Sequence, residues 1–164
     1  MIAPADVKAM SEGKLNSNYE FWSFLVYNAN EEELDKKFLD LHNELFVGYD
    51  CSSCRNCCKE YATALTKDEV DRICALIEMP KDAFVAEYAY ENDGDYMLKD
   101  APCRFLGADN ACQLESCKPQ SCKDYPNTNK PGRLSHLPGI FDSSSVCPVV
   151  FEIVERLKAQ HGIW

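Results

Sequence analysis

Apolar residues recur at helical spacing along the first half of the chain. Ser17-Asn18-Tyr19-Glu20 reads as a capping box, with an aromatic segment of Phe21, Trp22, Phe24 and Leu25 following it. Asn30 reads as the cap of a second helix. Its Leu34, Phe38, Leu41 and Leu45 fall on one stripe, and Glu31, Glu32 and Glu33 complement the positive end of the dipole. Gly48 is a natural stop. Thr66-Lys67-Asp68-Glu69 is a second capping box, followed at helical spacing by Val70, Ile73, Cys74 and Ile77. Pro80 ends that helix, and Phe84, Val85 and Tyr88 predict a short successor. A last helix begins at Cys147-Pro148, with proline in its first turn, and carries Val150, Ile153, Val154 and Leu157.

Between Asp93 and Ser145 this periodicity disappears, and Gly, Pro, Asn and Asp recur every few residues. Tyr96-Met97-Leu98 and Cys103-Arg104-Phe105-Leu106 read as short strands. Gly107–Asn110 would turn the second of them back into 111–114. So long a stretch without ladders needs another organiser inside a compact domain. The expected fold is mainly α, with an irregular, metal-organised, cysteine-rich loop region and one small β-hairpin. The expected organisation is an N-terminal helical segment at 1–50, a cysteine-cluster metal-binding domain at 51–148, and a helix at 149–164 packing on the same single domain.

Composition narrows the possible partners. The 164 residues are 46% apolar, which excludes a disordered chain. The formal charge is −10, so neither nucleic acid nor an anionic membrane is expected, because both need a basic face to release counterions. The first residues show no charged leader followed by an apolar core, and Phe21–Tyr27 is too short to span a bilayer. The expected location is therefore cytoplasmic. In that reducing compartment ten cysteines read as free thiols or metal ligands rather than as disulfides.

Their spacing points to metal. Cys51-Ser-Ser-Cys54-Arg-Asn-Cys57-Cys58 places two residues between successive thiols, which lets a tight loop offer them to one centre. Adjacent Cys57 and Cys58 diverge, so one can face one metal and the other a second metal or the core. Cys103 and Cys112 flank the expected hairpin, which would return them to each other. Cys147 precedes a helix start, where unpaired amides favour a thiolate.

On these residues the chain resembles the YkgJ-type cysteine-cluster family, a zinc- or iron-chelating domain. The likeness is carried by Cys51, Cys54, Cys57 and Cys58, then Cys103-Arg-Phe-Leu106, then Cys112 through Cys122-Lys-Asp-Tyr-Pro126, and finally Cys147-Pro148. Two departures stand out: Lys118 occupies the position where the family usually has arginine, and Leu114-Glu115 replaces an Ile-Tyr pair. The resemblance implies metal chelation through Cys51, Cys54, Cys57, Cys58, Cys103, Cys112, Cys122 and Cys147. Larger relatives include flagellin lysine N-methylases, so it also implies a component of a protein lysine methyl-transfer system as an alternative role.

Three neighbouring thiols followed by uneven singletons suit an iron–sulfur cluster. One or two zinc ions are the alternative, since eight thiolates divide into two tetrahedral sites. The expected function is accordingly a metal-chelating protein with a redox or cofactor-handling role. A non-enzymatic, zinc-organised interaction module with an unidentified protein partner stands beside it. No P-loop, nucleophile elbow, dinucleotide fingerprint or His-Glu-x-x-His appears, and no catalytic residue is assigned. Cys74 lies on an apolar stripe and reads as core. Cys117 and His136 are secondary ligand candidates, whereas His42 and His161 read as boundary and terminal residues.

Overall fold

The computed structural model describes residues 1–164, and more than half of them are helical. In chain order the α-helices are α1 (Val7–Glu12), α2 (Leu15–Asn28), α3 (Glu31–Leu45), α4 (Cys51–Cys54), α5 (Asn56–Glu60), α6 (Lys67–Leu76), α7 (Lys81–Tyr88), α8 (Gln120–Asp124), α9 (Leu137–Ser144) and α10 (Pro148–Gln160). Three short strands are β1 (Ala64–Leu65), β2 (Ala89–Asn92) and β3 (Asp95–Leu98). The expected mainly α fold with a small β element is what the chain adopts. It divides into two units, Met1–Asp50 with Pro126–Trp164, and Cys51–Tyr125. Residues 126–148, grouped with the cysteine segment in the sequence reading, fall in the first unit.

In the helical unit α10 packs on α9, α3 and α1. Phe21, Phe38, Leu137, Ile153 and Leu157 are fully buried there, and the Phe21 ring meets Phe141 edge-on at 6.2 Å. Asn30 is extended and its side-chain oxygen accepts from Glu33 N at 3.0 Å, so α3 starts at its predicted cap. The Ser17 capping box does not form. Helix α2 begins two residues earlier, and the Ser17 hydroxyl donates to the Lys14 carbonyl inside the helix. That hydroxyl has a second use, since the buried Lys158 ammonium donates to Ser17 Oγ at 2.9 Å and to Asn18 Oδ1 at 2.8 Å. Glu155 pairs with the same ammonium. The loop before α9 is fastened to α3 by Asp35, whose carboxylate accepts from Gly132 N and Arg133 N at 2.7 Å each. Arg133 then closes the loop by donating to the Asn127 and Pro131 carbonyls.

The Cys51–Tyr125 unit is built around a three-stranded antiparallel sheet of order β1-β3-β2. The β2–β3 hairpin turns at Asp93-Gly94, where both residues have positive φ (50° and 86°), as a two-residue hairpin turn requires. This is the hairpin of the fold. The one expected at 103–114 shrinks to a single bridge between Leu106 and Cys112, closed by Gly107 N to Ala111 O at 2.8 Å. Thr66 and Glu69 form the predicted capping box in full, and α6 lays Val70, Ile73 and Cys74 into the core. Leu65, Phe84, Leu98, Phe105 and Leu114 complete that core. The stretch 93–145 is also less irregular than its composition suggests, since it contains β3, α8, α9 and two 3-10 turns. No helix is long and apolar enough to cross a membrane.

Phe84 is fully buried, with its ring against Tyr88 and Phe105. Phe84→Ala should destabilise the Cys51–Tyr125 unit by about 3–5 kcal/mol. Urea unfolding followed through amide exchange of β2 and β3 measures this. Unchanged protection there would contradict the core described.

Candidate metal centre

The cysteine run does not form one helix. Helix α4 carries Cys51 and Cys54, and Arg55 N still donates back to Cys51 O at 3.1 Å. Arg55 itself then adopts a left-handed conformation with φ of 56°, a costly state for a residue with a β-carbon. Helix α5 restarts beyond it with Cys57 and Cys58. The break re-aims the second pair of thiols relative to the first. Cys51 is exposed, Cys54 buried, and Cys57 and Cys58 half-buried.

Backbone bonds gather the later cysteines around Cys58. The Cys58 carbonyl accepts from Cys103 N at 2.7 Å, which ties the 103 loop directly to α5. Leu106 N returns to Cys103 O at 3.0 Å, and the bridge from Leu106 to Cys112 brings the next thiol back. Cys122 sits on α8, which is held by two long-range bonds. Ser121 Oγ donates to Ala64 O, and Gln120 N donates to Glu69 Oε1, each at 2.7 Å. Glu69 therefore serves α6 and α8 together, its other carboxylate oxygen accepting from Thr66 N. Thr63 Oγ1 lies 3.6 Å from the Cys122 sulfur.

Cys58 and Cys112 are close enough to Cys103 and Cys122 for their charges to act on both of those thiols. Cys58 is pulled down from the usual thiol range to about 6, first by its hydrogen bond with Cys57 and then by the nearby charges of Arg55 and Lys118. Cys103 and Cys122 move the other way, first because burial penalises the thiolate and next because Cys58 stands beside them. The set therefore joins one thiol that ionises readily, Cys58, to two that resist ionisation, Cys103 and Cys122. No disulfide joins any of the ten cysteines. The side chains are neighbours and not yet a closed cage: no three Cys, His, Asp or Glu groups stand in metal-holding register.

Of the remaining candidates, Cys147 belongs to the helical unit, buried at the first turn of α10. Cys117 lies near Cys112 and packs against the core, and its thiol is raised by burial. Cys74 is core, as expected. The His136 ring is engaged with its own loop, Nδ1 lying 2.8 Å from the Gly132 carbonyl. The sequence reading missed Arg55, Glu69, Thr63 and Glu115. Arg55 is 7% exposed, its Nε donates to Asn110 O at 3.1 Å, and its guanidinium pairs with Glu115 at 3.5 Å. A basic residue inside the cysteine run was visible in the sequence, but its burial depends on the distant 107–115 loop.

A family model matches residues 50–147: CxxCxxCC, described as "Putative zinc- or iron-chelating domain". The match covers more than half of the chain, and the chain belongs to this family. No curated protein and no solved structure matches it. The donor set fits such a group, since soft thiolates are the ligands zinc and iron–sulfur centres take.

A reactivity series on metal-free, reduced protein tests the ionisation pattern. With its pKa pulled down to about 6, Cys58 is mostly thiolate at neutral pH, whereas Cys103 and Cys122 lie above the usual thiol range. Alkylation of Cys58 should rise as pH is raised through about 6, and that of Cys103 and Cys122 should stay slow through neutrality. Mass spectrometry of the alkylated peptides reads this out. Equal rates at the three sites would contradict the electrostatics described.

Proposed function

We propose that this member of the CxxCxxCC family holds an iron–sulfur cluster through its cysteine thiolates and works as a redox or cofactor-handling protein. The donors proposed are Cys51, Cys54, Cys57, Cys58, Cys103, Cys112, Cys122 and Cys147. The observation that carries the reading is the gathering of Cys58 with Cys103, Cys112 and Cys122, free thiols drawn from separate stretches of chain. The preference for iron–sulfur rests on the run itself. Cys51, Cys54 and Cys57 come from two one-turn helices broken at Arg55, a short turning segment of the kind that wraps a cubane.

When bound, such a cluster supplies one-electron transfer. The chain's own residues set its surroundings. Thr63 contributes a hydroxyl beside the Cys122 sulfur, and hydrogen bonds to ligand sulfur are a recognised means of tuning potential. Phe105 and Leu114, both buried, keep water from the inner side of the 103–114 loop.

A second reading is a zinc-organised, non-catalytic interaction module. It is favoured by the number and origin of the gathered thiols. Four thiolates close a tetrahedral zinc site with no open position, and tying separate loops together is what a structural ion does.

Anaerobic purification followed by iron, zinc and acid-labile sulfide assays separates the two. Iron and sulfide in equal, stoichiometric amounts, with brown colour, support the cluster. Two zinc ions per chain without sulfide support the module instead. Substoichiometric metal of either kind overturns chelation as the function. Cys103→Ser and Cys122→Ser should each lower the metal content, whereas Cys74→Ser should leave it unchanged.

A further inference from the structure

Three charged groups joined to the cysteine run through Arg55 are not explained by thiol ligation. Arg55 is buried in a left-handed conformation inside the cysteine run, between Cys54 and Cys57-Cys58, and its Nε donates to the Asn110 carbonyl at 3.1 Å. Lys118, one quarter exposed or less, also acts on Cys58 through its charge. Between these two cations stands Glu115. Its Oε2 lies 3.5 Å from Arg55 Nη2 and its Oε1 lies 3.6 Å from Lys118 Nζ, while its own side chain is 61% exposed.

The charge count gives this arrangement a purpose. Four thiolates around a divalent zinc ion leave a net charge of −2, and four thiolates around an oxidised cubane leave the same charge. A buried dianion is costly unless compensated. Two fixed cations match it, and an exposed carboxylate that also engages both of them competes with it. We propose that Arg55 and Lys118 are the counter-ions of the metal–thiolate centre containing Cys58, and that Glu115 is a solvent-facing competitor for them that limits how tightly the centre holds metal. The inference rests on the metal-binding reading above. It is indifferent to whether the occupant is zinc or a cluster, since both present the same charge.

Opposite signs distinguish this from a merely structural strap. If Arg55, Glu115 and Lys118 only pinned loops together, neutralising any one would loosen the site. If they set its charge, neutralising a cation and neutralising the carboxylate must act in opposite directions. The experiment is competition for zinc between the metal-free full chain and a chromophoric chelator, at fixed pH and low salt.

Arg55→Gln and Lys118→Gln should each weaken zinc binding about tenfold, the scale typical of groups just outside the ligands. Arg55→Lys keeps the charge and should recover most of the affinity. Glu115→Gln should tighten binding about threefold, in keeping with the loss of an exposed pair. Raising the salt should shrink all of these differences. Weakening by Glu115→Gln, or no change in Lys118→Gln, overturns the proposal. Because Glu115 is exposed, its variant keeps the test decisive even if Arg55→Gln misfolds. Cys103→Ser serves as the control. If it leaves zinc affinity unaltered, the metal-binding reading itself fails, and that outcome is separable from a failure of the charge assignment.

Discussion

Thiols that are to bind metal must be brought close together, and once ionised they repel. Water would relieve that repulsion, but it would also compete for the metal. The Cys51–Tyr125 unit is shaped by this conflict. It places Cys58, Cys103 and Cys122 in partial burial, where two of them keep their protons and one gives it up under the influence of Cys57, Arg55 and Lys118. The left-handed Arg55 is the geometric expression of the same constraint. A continuous helix through the run would carry Cys51 through Cys58 around one cylinder, whereas the break turns Cys58 toward Cys103 while keeping a cation beside it.

The rest of that unit supports this neighbourhood. The small sheet and α6 supply the apolar core, but the thiol-bearing loops are held chiefly by individual hydrogen bonds from fixed points of that frame. Glu69 is the most economical of these points, capping its own helix and anchoring α8 through the Gln120 amide. Ser121 adds a second tie to β1. In small thiol-rich units ligation energy adds to that of the apolar core. In the helical unit the stripe residues are buried, the Asp35 carboxylate clamps the 132–133 amides, and the Lys158 ammonium is met by Ser17 and Asn18.

Local signals in the sequence were sound wherever the energy was local. The Asn30 cap, the Thr66–Glu69 box and the proline opening α10 depend on residues within one turn, and all three formed as expected. Ser17 failed because its box had to compete with a helix already running from Leu15 and with the needs of a buried ammonium far along the chain. The hairpin was placed at 103–114 although Asp93-Gly94 carries the stronger turn signal. The 103–114 loop makes a single bridge, and the full ladder forms across Asp93-Gly94. Helix α9 was missed because Pro138 and Gly139 read as loop, yet proline in a first turn costs no hydrogen bond.

By itself, then, the sequence determined the mainly helical fold and the family to which the spacing of its cysteines belongs. These follow from periodicity, capping and ligand spacing, which are properties of short stretches. Only the tertiary structure decided that Cys58 shares a neighbourhood with Cys103, Cys112 and Cys122. It also decided that Arg55 is buried against the 110 loop and that Glu115 stands between two cations. Each of those facts depends on chain segments dozens of residues apart being folded onto one frame, where burial and Coulomb interaction are set by distance in space and leave no period or motif along the chain.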